Sequence, residues 1–324
     1  MIPAKAGMTE DGGMTPTLKR ALLIALQVLV LAAFVVAIER WWGFARLLAP
    51  WSQVSLALIT LVVAAQFASY SLRALRIYLA EPRIPRGDWA RCLQLILLNN
   101  ALNLLLPART GEASFPILLQ RWFGVPLAEG AGTLLWLRLL DLNVLGVLAL
   151  LTFAPALLPL PFVVWLLLAL IAALVPLLAP LLNHKLSNSL QSREGKAAAL
   201  TRKVLAGIPK QPSQVWVDLA LSWSAWGIKL AALAAVFAAL AQLPPVAALL
   251  GAIGGDLSTV LPLHTPGGFG TYEAGVIAFA SPLAPPTPAL LAAAVNLHIL
   301  VLGIALAAGA LAWLTQPRVR KSAP

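Results

Sequence analysis

The chain has 324 residues, of which 60% are hydrophobic and 11% are charged, and its mean hydropathy is +0.87. This composition excludes an ordinary soluble domain and is typical of an integral membrane protein. The net charge of +11 does not indicate a nucleic-acid partner, because most Lys and Arg residues lie in short polar connections, as in loops that face anionic lipid. A single cysteine, Cys92, excludes an intramolecular disulfide bond and a cysteine-rich metal site.

Six apolar segments are long enough to cross a bilayer, which takes about 20 residues in a helix. The first follows Lys19 and Arg20 and has no convincing small-residue cleavage site, so we predict a retained span rather than a signal peptide. The six predicted spans are residues 21–38, 54–74, 127–151, 162–182, 215–243 and 289–314.

Two further apolar segments, residues 92–123 and 246–279, are each interrupted near the middle by proline, glycine and charge. The interruptions read PARTGE at residues 107–112 and LHTPGGFGTYEAG at residues 263–275. Lipid cannot satisfy the free N–H and C=O groups of a broken helix, so this backbone must be buried in protein or face a wet cavity. Two interrupted segments in corresponding positions also favour a transporter-type site between inverted repeats.

Basic residues cluster at four places: before the first span, after the second, within residues 183–212 and at the carboxyl end. The positive-inside rule predicts that all four clusters are cytoplasmic. If the first interrupted segment crossed fully, residues 183–212 would lie outside, so we predict that it turns back as a re-entrant hairpin. The second interrupted segment must turn back as well, because the last span then brings the carboxyl-terminal basic cluster to the cytoplasm. The predicted fold class is an all-α polytopic membrane protein with about six transmembrane helices and two opposed hairpins.

The same pattern predicts a single membrane domain at residues 21–315, with the cytoplasmic loop 183–212 inside it. A cytoplasmic tail at residues 1–20 precedes the domain, and a basic cytoplasmic tail at residues 316–324 follows it. Both termini are therefore expected in the cytoplasm.

Four charged residues in the first half of the chain are candidates for a site. Each charge near the bilayer centre costs roughly 2.5–3.5 kcal/mol on insertion scales. Arg109 and Glu112 either pair with each other and fix the hairpin, or Arg109 binds an anionic headgroup together with free N–H groups at the start of the returning helix. Arg138 and Asp141, spaced i and i+3, either form a salt bridge within their helix or complete a polar cavity with the first pair.

The second hairpin contributes a glycine-rich turn and two titratable residues. Gly267, Gly268 and Gly270 permit positive φ and close approach to a ligand, although turn chemistry alone would explain them equally well. Glu273 is either a helix cap or a site residue. His264 is either structural or a partner for a proton or a phosphate.

The remaining polar residues are expected to have structural roles. Asn296 and His298 are predicted to make hydrogen bonds between helices. Arg73 and Arg76, at the polar end of the second span, are predicted to contact lipid phosphates nonspecifically. For Lys229 the sequence predicts no partner.

Three stretches carry a resemblance to a known family: NNALNLLLPARTGEASFPILL, LLWLRLLDL and LPLHTPGGFGTYEAG. Together they resemble the flippase-like transmembrane domain of lysylphosphatidylglycerol synthases and its stand-alone relatives. The resemblance implies a polytopic bacterial inner-membrane or archaeal protein that handles anionic or isoprenoid-derived lipids. Synthase members carry a soluble aminoacyl-transfer domain after the membrane part, whereas this sequence runs to Pro324, so lysyl transfer is not expected. Its size is similar to the hopanoid-associated branch, which implies lipid-biosynthesis enzymes as partners.

The leading hypothesis is therefore a lipid transporter whose headgroup site lies where the two hairpins meet, with membrane lipids as partners and without a cofactor or a metal. An intramembrane transferase acting on a lipid carrier is the main alternative, but no HExxH, P-loop, GxSxG or metal-ligand spacing occurs. A non-catalytic partner in a lipid-synthesis complex is the third hypothesis. The predicted site residues are Arg109, Glu112, Arg138, Asp141, His264, Gly267, Gly268, Gly270 and Glu273.

Overall fold

A computed structural model describes residues 43–260 and 266–315, together with residues 36, 39 and 40. The side chains of residues 107–109 and 266 lie outside this description, as do the two predicted cytoplasmic tails. The predicted span 21–38, apart from Val36, and the candidate His264 also lie outside the described residues.

All regular elements in the described part of the chain are helical, which confirms the predicted all-α class. Short helical turns at Phe44–Leu48, Ala49–Gln53, Ala154–Leu157 and Val175–Leu178 join or extend the main helices. The main helices are α1 (Leu56–Ala80), α2 (Trp89–Leu105), α3 (Ser114–Phe123), α4 (Leu127–Thr152), α5 (Phe162–Leu174), α6 (Ala179–Gln191), α7 (Lys196–Leu205), α8 (Pro212–Ala241), α9 (Pro245–Val260), α10 (Thr271–Ala280) and α11 (Pro288–Leu314).

Five helical stretches in the described residues are long and apolar enough to cross a membrane. They coincide with the last five predicted spans, so the chain is a polytopic membrane protein. A spanning helix satisfies all its backbone groups internally, which lipid requires. The five stretches are Leu56–Ala80, Leu127–Leu157, Phe162–Gln191, Pro212–Ala241 and Pro288–Leu314.

The first interrupted segment doubles back on itself. Its break, Pro107–Ala113, separates α2 from the ten-residue α3. At about 1.5 Å per residue α3 is only about 15 Å long, half the thickness of a hydrocarbon core. Ser114 Oγ donates a hydrogen bond to Asn99 Oδ1 at 3.1 Å, and Gly111 packs directly on the backbone of Leu102. A side chain at position 111 would meet that backbone, so the turn requires glycine here.

The second interrupted segment forms a tighter hairpin. Helices α9 and α10 pack so closely that a Cβ on Gly254 would collide with the carbonyl oxygen of Gly275. At the turn, Gly267, Gly268 and Gly270 have φ values of 66°, 79° and 83°. The sequence-based prediction of positive φ at these glycines is confirmed, because L-residues rarely adopt this conformation.

Several helix ends meet at one end of the molecule, formed by residues 81–88, 124–126 and 192–211 and called the basic end below. Arg83 of the loop after α1 donates two hydrogen bonds to the Glu129 carboxylate near the start of α4, at 2.9 and 3.0 Å. These bonds raise the pKa of the Arg83 guanidinium. Gln94 Nε2 donates to the carbonyl oxygen of Thr315 at 3.2 Å, which places the start of α2 beside the end of α11.

The other helix ends meet at the opposite end. Gln242 Nε2, after α8, donates to Gln53 Oε1, before α1, at 2.8 Å. The rings of Phe153 and Phe279 stack with centroids 4.2 Å apart, joining the end of α4 to that of α10. The first hairpin therefore starts and finishes at the basic end, and the second does so at the opposite end. Their broken segments contact each other inside the bundle.

The polar stretch 183–212, predicted as a loop, is largely helical. Helix α6 continues the path of α5 through a turn around Pro176 and ends only at Gln191, beyond the predicted boundary of the span. Helix α7 follows, and its end is fixed by Asn183, whose Nδ2 donates to the carbonyl oxygens of Leu205 and Ile208 at 3.1 and 2.9 Å. The first polar residues indicate where the apolar span ends. The chain beyond them is nevertheless helical, and the Asn183 hydrogen bonds join its two helices.

Candidate functional site

A cavity of about 120 Å³ lies where the two hairpins meet. Helices α1, α2, α4, α8, α9, α10 and α11 all contribute to its wall. Asn100 and Asn103 line it just before the first break, and Gly267 lines it within the second. One water needs about 10–15 Å³ of such volume, so the cavity can hold several waters or a small polar group.

The charge on the cavity wall is predominantly positive. The wall includes three cationic side chains, Arg73 of α1, Arg138 of α4 and Lys229 of α8, and one carboxylate, Asp256 of α9. Lys229 Nζ contacts Asp256 Oδ1 at 2.7 Å, and this pair crosses from α8 to the second hairpin. Asp256 balances Lys229, and Arg138 contacts carboxylates outside the wall, so Arg73 leaves the wall with positive charge that favours an anion.

Arg73 is the cation with the most unused hydrogen-bonding capacity. Its guanidinium lies over the Trp226 ring, 4.5 Å from the centroid, in a cation–π contact. Its Nε and Nη2 atoms are buried and have no hydrogen-bond partner among the described residues. Leaving buried donors unpaired costs about 1–3 kcal/mol per group, so these atoms are suited to a ligand or to ordered water.

Asp141 lies behind the cavity wall and joins three helices through one hydrogen bond and two ion pairs. It accepts a hydrogen bond from Trp226 Nε1 at 3.0 Å, and its oxygens lie 3.6 Å from Arg76 Nη2 and 3.5 Å from Arg138 Nη1. Arg138 Nε also contacts Glu112 Oε1 of the first hairpin at 3.2 Å. The predicted i, i+3 pair of Arg138 and Asp141 is confirmed, and the structure brings Glu112 to it.

The prediction that Arg73 and Arg76 contact lipid phosphates nonspecifically is wrong. Arg76 is only 3% exposed, and besides Asp141 it donates a hydrogen bond to Ser222 Oγ of α8. Helix α1 packs along α8, and this packing turns both arginines into the bundle. A position near a helix end does not make a side chain exposed, because the neighbouring helix decides which face is buried.

A buried pair fixes the second hairpin to α11. One oxygen of Glu273 accepts the Gly270 N–H at 2.7 Å, so the capping role predicted for Glu273 is confirmed. The other oxygen bonds His298 Nδ1 at 2.8 Å, and the imidazole stacks on the Tyr272 ring, 4.4 Å between centroids. This bond between α10 and α11 also confirms the interhelical role predicted for His298.

Asn296 is likewise an interhelical residue, as predicted. Its Oδ1 accepts a hydrogen bond from Trp51 Nε1 at 2.8 Å, and its Nδ2 donates to the carbonyl oxygen of Leu47 at 2.7 Å. Both partners belong to the helical turns before α1. Asn296 therefore ties this segment to α11 and does not reach the cavity.

Several members of the predicted site come together around the cavity. Arg138 and Gly267 line it, Glu112 and Asp141 hold Arg138, and Glu273 holds His298, which also lines it. Gly268 and Gly270 shape the adjoining turn. Where the side chain of Arg109 and where His264 lie stays a prediction, because both are outside the described part of the chain.

Four cavity residues were not predicted from the sequence: Trp226, Arg73, Lys229 and Asp256. A signal was present for the last two, since each is an isolated charge inside an apolar helix and such charges usually mark functional interiors. Among the described residues, no group of three or more His, Cys, Asp and Glu side chains could hold a metal ion.

Comparison with known proteins gives one family. The family model described as "Lysylphosphatidylglycerol synthase TM region" matches residues 24–309, a range that includes both hairpins and every residue of the cavity wall. Neither a curated protein nor a solved structure gave a significant match.

Proposed function

The chain belongs to the family of lysylphosphatidylglycerol synthase transmembrane regions, and from this premise we propose that it translocates an anionic membrane lipid. The headgroup enters the cavity between the hairpins while the hydrocarbon tails stay in the bilayer. The observation that carries the proposal is Arg73, whose Nε and Nη2 atoms are buried in a positively charged wall and have no acceptor among the described residues.

The chemistry of the wall suits a phosphate. A guanidinium offers donors in a planar fork that matches phosphate oxygens, and Lys229 adds a point charge. The phosphate of a lipid headgroup therefore finds donors from α1, α4 and α8 within one cavity. Burying a charged phosphate away from water is costly unless such pairing compensates it.

The arrangement of Arg138 also suits release. Its Nε and Nη1 atoms face two carboxylates, Glu112 and Asp141, so a bound phosphate and these carboxylates compete for the donors of one guanidinium. Arg138 lines the cavity, and side-chain exposures of 25% for Arg138 and 27% for Glu112 show that their contact is not fully buried. A headgroup can thus bind by displacing a carboxylate and leave when the carboxylate returns.

A second, smaller cavity supports a path towards the basic end. It measures about 20 Å³, shares Arg73, Asn100 and Arg138 with the first cavity, and continues past Asn99 to Arg76. Ile96 and Asn99 of α2 and Phe115 of α3 also line it, so this track lies beside the first hairpin. We propose that the headgroup passes Arg138 along this track.

Translocation in reconstituted vesicles tests the proposal. The probe is phosphatidylglycerol with a fluorophore on one acyl chain, and the readout is the fraction of probe that a membrane-impermeant quencher cannot reach. Arg73→Gln should slow translocation roughly tenfold, because a hydrogen bond to a charged group contributes about 1.5–3 kcal/mol. Arg73→Lys should also be slow, since a point charge does not replace the fork.

The matched control is Arg86→Gln, which removes a charge from an exposed position at the basic end. It should translocate the probe at the wild-type rate. A wild-type rate for Arg73→Gln would contradict a headgroup site in this cavity.

An intramembrane transferase is the second candidate, favoured by the Glu273–His298 pair, because a carboxylate that orients an imidazole is an arrangement of general bases. Cells with and without the protein distinguish the candidates through their lipids. A new headgroup would support the transferase, and an unchanged inventory with altered sidedness would support the transporter. If neither changes, a non-catalytic role beside lipid-biosynthesis enzymes is favoured.

A further inference from the structure

In the Glu273–His298 pair, Nδ1 of the imidazole bonds the carboxylate, and Nε2 is the ring nitrogen that remains for the cavity. Both Glu273 oxygens are engaged, one by the Gly270 N–H and one by His298 Nδ1. The carboxylate accepts at both bonds, so the imidazole Nδ1 carries hydrogen. His298 lines the cavity, and within the described residues its hydrogen bond is made by Nδ1 and not by Nε2. Nε2 is therefore the atom at which this side chain takes up a proton.

We infer that His298 Nε2 binds a proton cooperatively with the anionic headgroup, so that lipid translocation is linked to protonation. The inference rests on the proposed function. Protonation adds a positive charge to a wall that already carries Arg73, Arg138 and Lys229, and an anion in the cavity is then held more tightly. By linkage the effect is reciprocal, so a bound headgroup promotes protonation of His298 to the same degree.

Other ionisable groups on the same wall must be distinguished from His298. They are Tyr70 and Arg73 of α1, Arg138 of α4, Lys229 of α8, Asp256 of α9 and Tyr272 of α10. Helix α2 contributes only the amides of Asn100 and Asn103 to the polar lining. Among these residue types imidazole is the one that ordinarily changes charge between about pH 5 and 8. Lys229 Nζ lies 2.7 Å from Asp256 Oδ1, and the Lys229→Arg variant below separates its contribution from that of His298.

The proton site joins the second hairpin to a spanning helix as well as lining the cavity. Glu273 caps the start of α10, directly after the turn whose Gly267 lines the cavity. His298 belongs to the long helix α11, so the pair bridges a hairpin and a spanning helix. A proton on His298 strengthens this bridge, because the hydrogen bond then joins two opposite charges.

The experiment measures translocation of the phosphatidylglycerol probe at equal internal and external pH. The mole fraction of probe that gives half-maximal rate should be roughly tenfold lower at pH 5.5 than at pH 8, a typical size for coupling between two sites. His298→Asn should remove this dependence, because the Asn Nδ2 keeps a donor for Glu273 but has no titratable atom. A pH dependence in His298→Asn equal to that of the wild type would overturn the inference.

Three controls assign the effect. The sequence has three histidines, so His184→Asn and His264→Asn test the other two, and Lys229→Arg tests the lysine with a side chain that stays charged. All three variants should keep the pH dependence. Loss of the dependence in any of these three variants, with retention in His298→Asn, would assign the proton elsewhere and overturn the inference.

The same data separate this inference from the proposed function. Translocation by the wild type that depends on Arg73 but not on pH would overturn proton linkage and leave the headgroup site standing. Absence of protein-dependent translocation at every pH would overturn both.

Discussion

The two hairpins are fixed at their tips in different ways. The first is joined to α4 by Glu112 and Arg138, whose side chains are 27% and 25% exposed, and Arg138 also faces the cavity. The second is joined to α11 by Glu273 and His298, which are 4% and 3% exposed, and its two helices touch through glycines. An anion in the cavity can compete with Glu112 for Arg138. It can reach the Glu273–His298 contact only through the part of the His298 ring that lines the cavity. The first hairpin is therefore suited to movement, and the second to a fixed wall.

The largest expected effect concerns the ends from which the hairpins enter. In a chain with Cys92→Ala, a cysteine replacing Ser192 lies at the basic end, and one replacing Gln242 lies at the opposite end. The positive-inside rule puts the basic end in the cytoplasm. An impermeant thiol reagent added to intact cells should label the Gln242 variant and leave the Ser192 variant unlabelled.

Lysed cells provide the control, since both cysteines should then react. Labelling of the Ser192 variant with protection of the Gln242 variant in intact cells would refute a common cytoplasmic location for the basic clusters. That reversed pattern is the one expected if the first interrupted segment crossed the membrane fully.

The next effect tests whether the second hairpin is rigid. In Gly254→Val the new side chain meets the Gly275 carbonyl and the Phe279 side chain, and backbone must move. Overpacking typically costs 1–3 kcal/mol and occasionally more, so we expect a loss of about 3 kcal/mol. Thermal unfolding in detergent measures the loss.

Gly227→Val is the matched control, because a Cβ at that helical glycine has nothing within 4 Å. It should unfold near the wild-type temperature. Similar unfolding temperatures for the two variants would mean that α9 and α10 separate easily and that the second hairpin is not the fixed one.

The smallest expected effect is the difference in stability between variants that remove the Glu273–His298 contact and the Glu112–Arg138 contact. Glu273→Ala leaves His298 Nδ1 and the Gly270 N–H buried without their acceptor, which should cost about 2–3 kcal/mol. Glu112→Ala should cost only about 0.5–1 kcal/mol, since its contact is partly exposed and Arg138 keeps Asp141. Both losses are measured by thermal unfolding in detergent, with the exposed Glu194→Ala as the neutral reference. An equal or greater loss in Glu112→Ala would reverse the assignment of the fixed and movable hairpins.

Much of the candidate site could be predicted where the relevant interaction is local in sequence. Arg138 and Asp141 are neighbours on one helix face, and Glu273 caps the helix that it begins, so spacing alone indicates both contacts. The pairing of Lys229 with Asp256 joins positions on two helices. No spacing rule reaches across helices, so this contact required the packed structure.

The sequence by itself determined that the chain is an all-helical membrane protein, because a bilayer demands long apolar helices and tolerates broken ones only in protected positions. It also determined where the two breaks occur, since proline, glycine and charge mark them. The tertiary structure alone decided which faces of the helices look inward. Arg73 and Arg76 line the interior because α1 packs along α8, and a helix with polar residues on several faces does not specify that choice by periodicity. The positive charge of the cavity is thus a property of packing, built from residues that are far apart in the chain.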